Sequence, residues 1–531
     1  MNITAELAAA WSSIARLAVV AGLSALPLAC SQPAARPGSD GAKPAALVDL
    51  KRADLQWLDR VTFGLDSATL AEYRRLGRAG FLDVQLRGER NPALPPAIAA
   101  QIESLPIANL DPTPQLIEVN AEYRRINALA DGADKEQARK ALNESGNKLA
   151  YAAVRRDLLR AVYSPAQLQE QMVWFWLNHF SVHQYKANLR WTIADYEEHA
   201  IRPHALGSFA DLVLATVQHP AMLQYLDNAQ NAAGHINENY ARELMELHTL
   251  GVDAGYTQQD VQELARILTG VGINTTGETP RLRREWQPLY RRAGAFEFNP
   301  ARHDFGRKQL LGQVIDGEGF GEVERAVHLI TQQPACARFI ARKLALYFVS
   351  DTPPPQLIAR MAQTFQRTDG NIAEVLRTLF LSPEFGASLG QKFKDPMHYV
   401  VSAVRFAYDG RTINNTRPLL NWLNALGQPP YGRQTPDGYP LTELAWTSSG
   451  QMSRRFEIAR AIGSGNAGLF DAEAGGGGGA GGTGFPMLSN RLYFEGVEAT
   501  LSARTLEALK SAASQAEWNT YLLSSPEFNY Y

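Results

Sequence analysis

The stretch Asn237 to Val252, NENYARELMELHTLGV, decides how this chain folds. Asn237 suits a helix cap, Glu238 suits the positive end of the helix dipole, and Gly251 suits the far end. At 100° per residue, Tyr240, Ala241, Leu244, Met245, Leu247 and Leu250 share an apolar arc. Glu238, Arg242 and Glu246 form an i, i+4 charged stripe opposite. Two polar residues break the pattern. Glu243 falls inside the apolar arc, and so does His248, which points roughly 140° away from Glu243 on the same wheel. One ion cannot be held by these two alone. A buried carboxylate costs several kcal/mol unless it meets a cation, donors or a metal, so Glu243 is expected to find a partner from another segment. That partner is either His179 or His303 in an open cleft, or an arginine such as Arg202, Arg242 or Arg266 in a sealed core.

Outward from this stretch the grammar stays helical. Capping residues followed by proline recur at Ser164-Pro165, His219-Pro220, Gln333-Pro334, Ser382-Pro383 and Ser525-Pro526. Thr257 with Asp260 three residues on reads as a capping box. The echo of LFLSPEF (379–385) in LLSSPEF (522–528) is explained by the same helix-end chemistry, without a repeat architecture. A helix over 165–183 is apolar nearly all round and belongs in the core. The chain is therefore expected to be mainly α, with one large helical domain over 48–531 and a short β-hairpin insertion near 295–316. In that insertion FEFNPARHDFGRKQLLGQVI alternates around turn residues Asp304 and Gly306. AEAGGGGGAGGTG (472–484) reads as a Gly-rich loop inside that domain.

The 531 residues are 45% hydrophobic and 20% charged, enough for a large core. Their net charge of −2 gives no overall case for nucleic acid as a partner. One basic run, PRLRREWQPLYRR (280–292), sets arginines around Trp286 and Tyr290. As a ligand surface it would suit phosphate, anionic glycan or lipid headgroups, although a solvated loop explains it as well.

Residues 1–30 read as a signal peptide. Arg16 precedes the apolar run Leu17 to Ala29, too short to span a bilayer. The run ends in LPLAC (26–30), which resembles a lipobox with Cys30 as the lipidated residue. Pro27 stands where leucine is usual and Glu6 sits in the leader, so an ordinary signal peptide and a soluble exported protein form the alternative. Residues 31–47, rich in Pro, Ala and Gly, read as a tether. The expected location is the cell envelope, with the membrane as a partner through the anchor. Cys336 is left as the other cysteine, read as a small core residue.

Seven of the ten histidines lie between 179 and 248. His179 and His183, at i, i+4, have the spacing that presents two imidazoles to one metal in HExxH helices, though the glutamate of that motif is absent. With His303 they form the candidate ligand set for a divalent metal. Glu243, His248 and Asp304 are the candidate catalytic groups. Hydrogen-bonded core imidazoles and an Asx turn at Asp304 are the blander alternatives. The nucleophile elbow, P-loop, CxxC pair, haem-attachment motif and EF-hand loop are missing from the sequence.

Long blocks in order resemble the bacterial family called domain of unknown function 1800. They are RVTFGLD (60–66), YSPAQLQEQMVWFWLNHFSV (163–182), IRPHALGSFADLVLATVQHPAMLQYLDN (201–228), the opening stretch itself, GYTQQDVQELARILTG (255–270), FNPARHDFGRKQLLG (298–312), ARFIARKLALYFVSDTPPP (337–355) and GQPPYGRQTPDGYP (427–440). The resemblance covers about 52–528. It implies an exported bacterial protein, often encoded beside a second exported protein, and no agreed reaction. Trp57 stands where the family commonly has histidine, and His183 where an aromatic is expected.

Two functions follow as expectations. One is an envelope lipoprotein that binds or scaffolds a partner or glycan, its buried polar groups locking a helical core. The other is a hydrolase acting on an extracellular polymer or ester through a metal-activated water or a glutamate base. The first is preferred because the sequence shows no complete catalytic constellation.

Overall fold

Capping chemistry sets where the helices begin. Thr257 and Asp260 form the reciprocal box, with Asp260 N–H donating to Thr257 Oγ1 at 3.2 Å and Thr257 N–H to Asp260 Oδ2 at 2.8 Å. Pro220, Pro334, Pro383 and Pro526 each open a helix, and His219, Ser382 and Ser525 accept from its first turn. The proline at 165 behaves differently, since the next helix starts at Gln167. The SPEF echoes are two short capped helices, Pro383–Ala387 and Pro526–Asn529.

The computed structural model describes residues 50–88, 93–472 and 484–531. The expected signal peptide, the tether and nearly all of the Gly-rich loop lie outside the described residues. Helix makes up 61% and strand 4%, so the protein is mainly α. No helix among the described residues is long and apolar enough to cross a membrane.

The β insertion is present, as two small antiparallel sheets rather than a single hairpin. Phe296–Phe298 pairs antiparallel with both Val271–Ile273 and Arg291–Ala293, and Lys308–Leu310 pairs with Gln313–Ile315. The hairpin turns at Leu311-Gly312, both left-handed at φ 48° and 78°, rather than at Asp304 and Gly306. A leucine in that conformation carries no turn signature, so residue types alone point to the wrong corner.

The Gln167–His179 helix is the axis of the core, with Gln167 through Trp176 all buried. It is shorter at both ends than the 165–183 span the pattern suggests. Phe180 leaves helical geometry at φ −100° and ψ 51°. Burying Met172, Phe175, Trp176 and Leu168 contributes about 1.5–3 kcal/mol each. The helix also buries charge. Arg202 grips Glu170 through two bonds of 3.0 and 2.9 Å and Glu197 at 2.6 Å, and Arg156 holds the other Glu197 oxygen at 2.6 Å. Arg160 meets Glu198 at 2.7 Å beside them. These ions are matched and hydrogen-bonded, which makes them tolerable in the interior.

Removing one partner strands the others. Arg202→Met leaves Glu170 and half of Glu197 buried without their cation, so urea denaturation is expected to show a loss of about 3–5 kcal/mol. An unchanged midpoint would mean that the network does not hold the core.

Candidate functional site

Two of the expected site residues meet at the end of the core helix. Residues 239–249 begin as an α-helix, Asn239–Glu243, and continue as a π-helix, Leu244–Thr249. The wider turn ends at Gly251, whose φ of +87° and close approach to Phe339 exclude a side chain. His179 Nε2 donates to the His248 carbonyl at 2.9 Å, satisfying an orphan acceptor of the π-turn. The two rings lie 5.9 Å apart, with Phe180 between 4.5 and 5.0 Å from each. Among the described residues, neither nitrogen of His248 and not Nδ1 of His179 has a hydrogen-bond partner. Burial, then the nearby Lys343 charge, pushes His248 down to about 3 and His179 well below the usual imidazole range.

The remaining expected residues are placed elsewhere. His183 lies beyond the helix end, part-exposed against Tyr185 at 5.5 Å, so it does not share a helical turn with His179. His303 is saturated: Nδ1 bonds the Thr269 carbonyl at 2.7 Å and Nε2 bonds Glu322 at 2.8 Å, while Lys308 takes the other Glu322 oxygen at 2.5 Å. Asp304 pairs with Arg266 at 2.8 and 3.2 Å and accepts from Gly306 N–H at 2.8 Å, an Asx turn. His303 thus ties the β insertion to the Phe320–Thr331 helix, and Asp304 ties it to the Gln258–Ile267 helix. His179, His183 and His303 do not converge. Among the described residues no three His, Cys, Asp or Glu side chains are grouped to hold a metal ion.

Glu243 makes no hydrogen bond or ion pair with His179, His303, Arg202, Arg242 or Arg266, although the Arg242 charge acts on its carboxyl. It is part-buried, and no hydrogen bond or ion pair is recorded for it among the described residues. Arg242 is occupied by Glu238, Glu246 and Gln258. Burial, then the charge of Glu246, raises the Glu243 carboxyl, with Asp437 acting in the same sense.

Residues that the histidine pattern did not single out build the cleft beside this pair. The Pro334–Phe348 helix presents Arg338, Arg342 and Lys343 to an open cleft of 850 Å³. Its apolar surface comes from Leu247, Leu250, Phe339, Leu346 and Ile358, and Asp437 sits at its border. No hydrogen bond or ion pair ties Arg338, Arg342 or Lys343 to another group among the described residues, apart from Lys343 over the Phe339 ring at 5.5 Å. Burial pushes Lys343 down to about 8. Asp437 is held against the effect of burial by Arg433 at 2.8 to 3.2 Å and by Thr435 at 2.5 Å. Gly438 follows it at φ +76°, because a Cβ there would strike the Asn178 carbonyl at 2.2 Å. Asn178 in turn donates to Tyr439 O at 3.0 Å and accepts from Tyr439 N–H at 2.6 Å. The sequence did carry a signal for the cations: none of the three has an acid three or four residues away.

A family model described as "Protein of unknown function (DUF1800)" matches residues 56–530, and the chain belongs to that family. No curated protein and no solved structure matches it.

The buried imidazole gives a signed pH effect. His248 is neutral when folded but takes a proton below about 6.5 when unfolded, so its contribution is intact at neutral pH and is lost as pH falls from about 6.5 toward 3. Between about pH 7 and pH 5 this costs about 2 kcal/mol. His248→Phe should flatten the pH dependence of urea stability by that amount, and an unaltered slope would show that the imidazole finds a partner when charged.

Proposed function

We propose that this member of the DUF1800 family is an exported envelope protein that binds an anionic amphiphile, an acidic head on an apolar chain, in the Pro334–Phe348 cleft. One observation carries the reading: three adjacent cations without acid partners stand over an apolar floor. Charge on a part-buried lysine that only Asp437 offsets, and without contact, is costly, and an acidic headgroup would relieve it. The chain of the ligand would cover Leu247, Leu250 and Ile358. Pockets of this size commonly combine such an apolar lining with a few placed polar groups.

Export and anchoring rest on the leader, Leu17 to Ala29, and on Cys30 as the lipid-bearing residue. In the native host, labelled palmitate should enter the wild-type chain and not Cys30→Ser, which should move to the soluble fraction. Equal fractionation of both would remove the anchor from the proposal.

A carboxylate-based hydrolase is the second reading. Its support is the split between Glu243, raised by burial and by Glu246, and Asp437, held low by Arg433 and Thr435. Glu243 does not line the cleft, whereas Asp437 does, so the pair does not flank the space a substrate would occupy.

Binding separates the two. Dansylaminoundecanoate is expected to bind saturably, about tenfold or more weakly to Lys343→Met, and unchanged to Glu243→Gln. Because the lysine loses its proton through about 8, affinity should fall between about pH 7 and pH 9 in the wild type and hold in Lys343→Arg. Absence of saturable binding, or indifference to Lys343→Met, would overturn the proposal.

A further inference from the structure

A second cleft, of 340 Å³, is bordered on one side by the segment from Arg190 to His199 and on the other by Ile102, Ile107 and Leu110. Its polar wall is built with care. Trp191 packs into the long Ala133–Tyr163 helix at Gly146, where a Cβ would lie 2.7 Å from the ring. Glycine is disfavoured in a helix interior relative to alanine, so the ring's position is maintained against propensity.

Arg190, next to it, is 93% buried and has no carboxylate partner among the described residues. Its hydrogen bonds go to neutral oxygens, Asn143 O at 3.2 Å, Asn147 Oδ1 at 2.8 Å and Asn143 Oδ1 at 2.6 Å, and it also lies 5.7 Å from the Tyr185 ring. It lies 5.1 Å from the Trp191 ring, and its Nε–H has no acceptor. The other arginines of this wall differ, since Arg156 and Arg160 are neutralised by Glu197 and Glu198.

Farther along, Asp195 is fixed from both sides. His199 Nδ1 meets one oxygen at 2.6 Å and His219 Nε2 the other at 2.9 Å. Ala221 N–H donates to His219 Nδ1 at 3.1 Å, which leaves the His219 proton on the nitrogen facing Asp195. His199 therefore has Nδ1 committed and Nε2 free, on a side chain that is 70% exposed. Hydrogen bonding to Asp195 raises His199 above the ordinary imidazole range and favours its protonated form.

We propose that this cleft is a second ligand site, taking a phosphate monoester with an apolar body: Arg190 anchors the oxyanion, His199 Nε2 donates to it, and Ile102, Ile107 and Leu110 cover the apolar part. A guanidinium and an imidazole on separate turns supply donors from two directions, which suits a tetrahedral anion, whereas one guanidinium fork already saturates a carboxylate. The site is independent of the Lys343 cleft.

Calorimetric titration of the full chain with phenyl phosphate tests it. Saturable binding is expected, weakened about tenfold or more by Arg190→Gln and by a smaller factor in His199→Gln, and unaffected by Lys343→Met. Inorganic phosphate should bind more weakly for lack of the apolar part, and benzoate more weakly for lack of a third oxygen. His199 is exposed, so its variant serves if Arg190→Gln fails to fold. No saturable binding of phenyl phosphate, equal binding by benzoate, or full affinity in His199→Gln would each overturn the proposal.

Discussion

Two consecutive side chains at the end of the core helix, Asn178 and His179, hold the two walls of the larger cleft. Asn178 pairs with both backbone groups of Tyr439 and so fixes the loop bearing Asp437. His179 takes the His248 carbonyl and so fixes the turn bearing Leu247 and Leu250. The His179 bond exchanges a buried orphan for a satisfied pair, where the penalty of leaving the group alone is about 1–3 kcal/mol, and the Asn178 bonds are part-buried. A helix buried on every face can support this, because its last turn is itself immobilised by packing.

The distinction between structural and ligand-facing charge follows from pairing. Glu170, Arg202, Glu197 and Arg156 form a closed set in which every ion has an opposite neighbour. Asp157 borders this set: although Arg156 lies 3.7 Å away, burial and the adjacent Glu197 push its carboxyl well up, and the Tyr431 hydroxyl donates to it at 2.7 Å. A protonated acid fits that position without adding a second negative charge. His303, Lys308 and Glu322 make another closed set. Arg338, Arg342, Lys343 and Arg190 stand outside any such set, and all of them border open space.

Much of the fold was legible because caps and periodicity are local. The Thr257 box, the Glu238–Arg242–Glu246 stripe and the role of Gly251 follow from neighbours three or four residues apart. The candidate site was half legible. His179 and His248 were marked as polar groups inside apolar faces, and they do meet. His303, a candidate ligand by its place in the insertion, is spent on Glu322, a partner nineteen residues away whose identity no periodicity discloses. Glu243 was misread because a 100° wheel assumes α geometry throughout, and the chain changes to a π-turn immediately after it. The one sequence signal for Lys343, the lack of an acid three or four residues away, is masked by its apolar helix, which reads as plain core.

Both clefts are bordered by π-turns, Leu244–Thr249 in one and Tyr196–Ile201 in the other. A π-turn inserts an extra residue and weakens the ladder, so it persists only where something outside the helix compensates. Here the compensation is buried and specific: His179 on the His248 carbonyl in the first case, Arg156 and Arg202 on Glu197 in the second. The consequence is geometric. An inserted residue rotates the side chains after it relative to an α-helix, which turns Glu246 and Leu247 toward one cleft and Glu198 and His199 toward the other. The same buried polar groups that look like a failed active site are therefore what holds each ligand-facing surface in place.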